Sequence, residues 1–156
     1  MLKIINRYQD LDSNKLLAVY EESCPNTKYY AVQAFLDDWM LFLQDKENVC
    51  CLWELDGAVV TCLRIEPYND GALITCLETP PQFRRKGFAF QLMQAVCEHL
   101  FTEGYRCIYA HILKRNEPSM KLHEKLGFLV CADSAKLVDG TVSQRYNTWV
   151  LKNTPR

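Results

Sequence analysis

Residues 84–89 read Arg-Arg-Lys-Gly-Phe-Ala. They follow an apolar run that ends at Glu78 and open an amphipathic segment from Gly87 to Phe101. A strand feeding a glycine turn at a helix N-terminus makes an anion site. Orphan amides point outward, the helix dipole favours negative charge, and glycine lets a phosphate approach the backbone. Arg84, Arg85 and Lys86 add a cluster of cationic donors for the same anion. A second constellation follows about thirty residues on: Asn116, Ser119, Leu122, then Glu124-Lys125-Leu126-Gly127-Phe128. The chemistry to which the first constellation points is capture of a phosphate-bearing ligand.

The elements that must position these residues can be read from periodicity. Leu2 to Arg7 reads as a short strand, and Leu11 to Glu22 as a helix stopped by Pro25. Val32, Phe35, Leu36, Trp39 and Leu43 recur at helical spacing and predict a second amphipathic helix. Val49 to Leu55 and Ala58 to Ile65 flank Asp56-Gly57, a strong hairpin signal. The turn Pro67-Tyr68-Asn69-Asp70-Gly71 leads into a third run, Ala72 to Glu78. The pattern then alternates. Leu92, Met93, Val96, Cys97 and Leu100 form the stripe of a helix ended by Gly104, and Cys107 to His111 reads as the next strand. A helix follows from Glu117 to Lys125, closed by Gly127, with last strands Phe128 to Cys131 and Tyr146 to Leu151 and a turn at Asp139-Gly140 between them. A helical crossover between the runs 72–78 and 107–111 makes those two strands parallel within an otherwise antiparallel sheet. The expectation is one α+β, three-layer domain over residues 1–156.

Bulk properties narrow the class. A chain of 156 residues supports one sizeable core, and 49% apolar with 24% charged residues is ordinary for a globular protein. A formal net charge of −1 gives no electrostatic reason to bind nucleic acid or a membrane surface. No apolar run approaches the ~20 residues of a membrane span. The N-terminal residues lack the pattern of a signal peptide, so a cytoplasmic location is expected. Eight cysteines fall at 24, 50, 51, 62, 76, 97, 107 and 131, without a Cys-x-x-Cys pair. That spacing argues against a zinc site, and these thiols read as small buried hydrophobes kept reduced. The P-loop pattern Gly-x-x-x-x-Gly-Lys-Ser/Thr is absent. A nucleophilic Cys62 or Cys76 needs a histidine partner that the sequence does not place.

Arg84 to Ala89 resembles the Arg/Gln-x-x-Gly-x-Gly/Ala loop of the GNAT superfamily of acyl-CoA-dependent N-acyltransferases. Asn116 to Phe128 resembles the second motif of that family on the CoA side, Asn-x-x-Ser-x-x-Leu-Tyr-Glu-Lys-x-Gly-Phe. Specific motifs cover residues 72–130, and the element order fits nearly the whole chain. The resemblance implies a mixed, mostly antiparallel sheet of six to seven strands, two central parallel strands splayed apart, and helices on both faces. It also implies acetyl-CoA as cosubstrate. The family binds the pyrophosphate on amides that here come from Arg85, Lys86, Gly87, Phe88 and Ala89, with Arg84 beside them. The pantetheine arm would pair with the main chain at Leu77 to Thr79. Asn116 and Ser119 match residues beside that arm, and Lys121 would reach the phosphate side. A simple N-cap is an equal reading of Asn116.

The implied reaction is direct attack of a primary amine, of a small molecule or peptide, on the thioester. An alkylamine with a pKa near ~10.4 is charged at neutral pH, so a base is required. Glu78, at the strand end, is the first expectation for that base, with Asp70 and Glu66 as alternatives and His111 as a weaker one. The oxyanion would take an N–H near Leu77 or Glu78. Where the family carries a tyrosine acid, this chain has His123, which titrates in the working range. Arg85 stands where many relatives have glycine. Trp39, Phe42, Tyr29, Tyr30 and Tyr68 are expected to line an acceptor pocket or to be core. A homodimer is a common family arrangement. The competing expectation is an acyl-CoA-binding sensor without turnover.

Overall fold

The computed structural model describes residues 1–24 and 29–154. Pro25, expected to stop the first helix, lies outside them. The chain forms strand β1 (Leu2–Ile5), helices α1 (Ser13–Val19) and α2 (Tyr29–Phe42), then β2 (Val49–Leu55), β3 (Ala58–Tyr68) and β4 (Gly71–Glu78). After these come α3 (Phe88–Thr102), β5 (Cys107–Leu113), α4 (Glu117–Leu126), β6 (Leu129–Ala132), β7 (Ala135–Lys136), β8 (Val142–Ser143) and β9 (Tyr146–Lys152). Seven strands make one sheet in the order β1-β2-β3-β4-β5-β9-β6, and β7 and β8 make a separate hairpin. The α+β class and the mostly antiparallel sheet follow the sequence expectation. The parallel pair is β4 with β5, in register Ala72↔Ile108 to Ile74↔Ala110.

The chain divides into two compact units. The first contains residues 1–66 and 76–92. Its α1 starts at Ser13, later than the expected 11, because Asp12 caps it, accepting from the amides of Asn14 and Lys15 at 3.0 and 3.1 Å, and it ends at Val19, short of the expected 22. Likewise β1 ends at Ile5, not Arg7. Asp56 and Gly57 both take positive φ (52° and 79°), the turn that matches the twist of the β2–β3 hairpin. The core joins Leu16, Val19, Tyr20, Trp39, Phe42 and Leu43 to Cys50, Leu52, Val59 and Cys62. Trp39 is 2% exposed and lies 5.5 Å from Tyr20 and 6.3 Å from Phe42, ring to ring. Arg64 covers this aromatic cluster, 3.8 Å above Phe42, and pairs with Asp38 at 2.8 Å. Trp39 and Phe42 are therefore core, not pocket lining.

The second unit contains residues 67–75 and 93–156. On β5, Ile108, Ala110 and Ile112 are buried while Tyr109 and His111 are half-buried, the alternation of a strand with two different faces. Strand β9 runs antiparallel to β5 and to β6, so β6 is the sheet edge. The register of β6 slips between Val130 and Ala132, a bulge at Cys131. The turn at Asp139-Gly140 was expected to join the last two long strands. Instead it closes the short β7–β8 hairpin, with Asp139 Oδ1 accepting from the Thr141 amide at 2.9 Å and its hydroxyl at 2.7 Å.

Candidate functional site

In the first unit, the site is built at the end of β4 and the turn into α3. Cys76 holds φ 55° and Arg85 φ 61°. Neither is a residue type that visits the left-handed region at low cost, and such strain persists where surroundings over-determine it. For Cys76 the surroundings are visible: the hydroxyl of buried Tyr20 donates to its carbonyl at 2.5 Å. Thr61, with no exposed surface, donates to the Glu78 carbonyl at 3.0 Å and accepts from the Thr79 hydroxyl at 3.0 Å. Arg84 Nε donates to the Thr79 carbonyl at 2.8 Å. Side chains thus hold the carbonyls of Cys76, Glu78 and Thr79, and the strand end on either side of Leu77 is fixed.

Of the three cations expected at the anion turn, Arg84 is already engaged. Its Nη2 lies 3.2 Å from Glu22 and 3.1 Å from Glu78, and hydrogen bonding to Glu22 first, then the two carboxylate charges, raises its pKa. The Ser23 hydroxyl donates to the other Glu78 oxygen at 3.1 Å. Glu78 therefore stands between a guanidinium and a hydroxyl. Arg85 and Lys86 are exposed and have no carboxylate partner among the described residues; Lys86 lies 5.9 Å above the Phe83 ring. Gly87 has φ 82°, and a Cβ built there meets nothing within 4 Å. The first helical bond is the Gln91 amide to the Gly87 carbonyl at 3.0 Å, so the amides of Phe88 and Ala89 lie ahead of the helix's own ladder. Open space at Gly87 and amides ahead of the helix ladder thus lie beside two cations that have no carboxylate partner among the described residues.

In the second unit, Asn116 Oδ1 accepts from the Ser119 amide at 3.2 Å, which makes it the N-cap of α4. The far end closes with Gly127 N–H to Glu124 and Phe128 N–H to His123, at 3.0 Å each. Lys121 is exposed. His123 is 3% exposed. Its Nδ1–H donates to the Ser119 carbonyl at 2.7 Å, and its ring meets Phe128 edge-on at 5.0 Å. Burial lowers its pKa, partly offset by that hydrogen bond, so it is a neutral imidazole with its proton committed.

A further group lies together in this unit. Tyr68 and Tyr109 meet edge to face at 5.4 Å, and Tyr68 meets His111 at 5.2 Å. The Tyr109 hydroxyl donates to Asp70 at 2.5 Å, which lowers the Asp70 pKa. The side chains of Tyr29 and Tyr30 lie outside the described part. Tyr20, Glu22 and Ser23 were missed in the sequence: their partners are 55 to 62 residues away, and no short spacing announces them.

A sequence model of the acetyltransferase (GNAT) family matches residues 13–128. Among solved structures, the chain is similar to an N-acetyltransferase from Staphylococcus aureus Mu50, at 22% identity and TM-score 0.70, covering 97% of this chain and 98% of that one. It is similar to aminoglycoside 6'-acetyltransferase type Ii at 13% identity and TM-score 0.74, covering 100% and 99%. An acetyltransferase from Salmonella typhimurium, solved with its cofactor acetyl-CoA, matches at 16% identity and TM-score 0.68, covering 100% and 96%. No curated protein matches the chain.

Proposed function

The chain belongs to the GNAT acetyltransferase family, and from that premise we propose that it transfers the acetyl group of acetyl-CoA directly to a primary amine of a small molecule or peptide. The observation that carries the reading is the turn at Gly87: open space ahead of the α3 N-terminus beside Arg85 and Lys86, which have no carboxylate partner among the described residues. It suits a pyrophosphate, which needs several amide donors and close backbone approach. The Staphylococcus and Salmonella structures share the fold, and the latter holds acetyl-CoA.

In this reading the amides of Arg85 to Ala89 take the pyrophosphate, and the fixed backbone at Leu77 to Thr79 takes the pantetheine arm. A preorganised N–H at Leu77 or Glu78 is the donor for the oxyanion. Asn116 spends its oxygen on the α4 helix cap, which supports the capping reading of that residue. Glu78, expected as base, serves as the clamp that ties the strand end to Arg84 and Ser23. His123, expected as acid, serves as a packing residue, since a neutral imidazole with Nδ1–H committed has no proton for the leaving sulfur. None is needed: a thiol of pKa ~8.5 is a fair leaving group.

The test of function is acetyl-CoA turnover with a panel of amines, followed as thiol release. Amine-dependent release supports the transferase. Binding of acetyl-CoA without release on any amine supports the sensor alternative, which the commitment of both Glu78 and His123 favours. His123→Phe gives a sharper prediction. It keeps a ring against Phe128 and loses one hydrogen bond, so stability falls by about 1 kcal/mol. Loss of a general acid lowers kcat by roughly 10²-fold or more; this variant is expected to stay within about threefold of wild type. A folded His123→Phe enzyme with a hundredfold lower kcat restores the catalytic assignment.

A further inference from the structure

One cavity of the first unit shares no residue with the strand end or with the turn at Gly87. It is lined from β1, α1, β2 and β3 and has a volume of about 170 Å³. Its floor is apolar: Leu11, Leu16, Leu52 and Val59 are all buried. Its mouth is charged, and the two signs are not equally engaged. Glu54 Oε2 lies 2.7 Å from Lys3 Nζ, and its Oε1 lies 3.5 Å from Lys15 Nζ. Both Asp10 oxygens accept from Arg7, at 2.9 and 3.2 Å. Asp12 Oδ1 accepts from two amides as the cap of α1. Each lysine ammonium carries three N–H donors. Lys3 and Lys15 thus share one carboxylate, and the Lys15 contact is longer than a good N–H···O bond of ~2.7–3.2 Å. The mouth is short of acceptors, not of donors. A cationic ligand would meet carboxylate oxygens that are mostly taken; an anionic one would meet N–H groups still open.

We propose that this cavity binds a small carboxylic acid with an apolar body, its carboxylate between Lys3 and Lys15 and its hydrocarbon on the floor formed by Leu16, Leu52 and Val59. Size and sign both support the assignment. An apolar cavity of ~150 Å³ takes up benzene, so the volume here suits one aromatic ring or a short branched chain. Hydrogen bonds from an ammonium to a carboxylate are about twice as strong as neutral ones. The ligand does not have to break the pairs already present. Lys15, only 3.5 Å from Glu54, gains a closer acceptor, while Lys3 keeps its 2.7 Å pair and lends another N–H. The site goes beyond the acetyl-transfer reading and does not rest on it, since it calls for neither acetyl-CoA nor an acceptor amine.

Methyl NMR of the whole chain, ¹³C-labelled at leucine and valine, tests this with benzoate and isovalerate as probes. At least one of them is expected to shift the Leu16, Leu52 and Val59 methyls saturably, with a dissociation constant on the order of 1 mM, ordinary for a ligand of this size. Benzamide keeps the shape of benzoate without the charge, and benzylamine reverses the charge. Benzamide is expected to bind at least about tenfold more weakly than benzoate, and benzylamine more weakly still. The double variant Lys3→Gln, Lys15→Gln removes both ammoniums. Both side chains are partly exposed, so it should melt within a few degrees of wild type, while affinity for the carboxylate falls about tenfold or more. Lys46→Gln changes an exposed lysine that does not line the cavity and should bind as wild type does. Floor methyls that do not move with either carboxylate, at about tenfold above that constant, overturn the site. Equal affinity for benzamide, or full affinity in the double lysine variant, overturns the carboxylate assignment. Acetyl-CoA is in none of these samples, so neither result touches the acetyltransferase reading.

Discussion

Gly87→Glu is expected to abolish the stabilisation of this protein by acetyl-CoA. At about 100 times its dissociation constant, the cosubstrate should stabilise wild type by ~2.7 kcal/mol, about 5–10 °C in Tm for a chain of this size. Two features of Gly87 make the effect large. Its φ of 82° is one that L side chains rarely adopt, so any substitution costs about 1 kcal/mol of folding stability. The space a side chain would enter holds no protein atom within 4 Å, so glutamate fits there and puts a carboxylate at the proposed pyrophosphate site. The variant should fold with slightly lower Tm and show no shift, an affinity loss of at least about 100-fold. Gly87→Ala isolates the backbone penalty: it lowers Tm similarly but keeps part of the shift. Differential scanning fluorimetry reads both. A Gly87→Glu protein that shifts as wild type does moves the pyrophosphate elsewhere.

Gly71→Ala is expected to be the most damaging methyl in the chain, for a reason unrelated to φ. Gly71 opens β4, one residue before the Ala72↔Ile108 pair, and faces the first residue of β5. A Cβ there would lie 2.0 Å from the Cys107 carbonyl oxygen and 2.8 Å from its carbonyl carbon. Both are backbone atoms of a paired strand and have no rotamer to change. The start of the parallel pair must move apart, at a cost of about 3 kcal/mol or more. In Tm that is roughly 6–12 °C. Gly104→Ala is the control, since its φ is 98° but its Cβ meets open space, so only about 1 kcal/mol is lost. Urea unfolding of the two variants decides the matter. If Gly71→Ala lies within 1 kcal/mol of wild type, the close approach is softer than the geometry implies.

Most of the scaffold was legible because it is periodic. The apolar runs of β2 to β4, the Asp56-Gly57 turn and the stripe of α3 are local patterns, and the turn at Gly87 is a contiguous motif. What escaped was set by contacts between distant residues. Nothing in the run Tyr20 to Ser23 marks it as the holder of Cys76 and Glu78. Three adjacent cations look equivalent in sequence, yet Arg84 is drawn to Glu22 and Glu78 while Arg85 and Lys86 stay open. Histidine at 123 sits where a tyrosine acid belongs in the family pattern, but spacing does not report burial, and burial decides its protonation. The Tyr68 hydroxyl finds the Lys136 carbonyl 68 residues away, a contact that spacing does not announce.

The distribution of thiols turns the protein into its own opening gauge. Cys76 and Cys131 are exposed, whereas Cys50, Cys51, Cys62, Cys97 and Cys107 are buried. Burial pushes the Cys51 and Cys97 thiols up to about 12, and the hydrogen bond with Cys62 followed by burial pushes Cys50 higher still. A maleimide or disulfide reagent should therefore titrate exposed Cys76 and Cys131 rapidly in native protein, half-buried Cys24 more slowly, and the deep sites only when chain around them opens. The slow sites divide by unit: Cys50, Cys51 and Cys62 report on the first, Cys97 and Cys107 on the second. Mass-resolved labelling in mild urea would then give two separate opening free energies from one sample. It would also show which half of the molecule acetyl-CoA tightens.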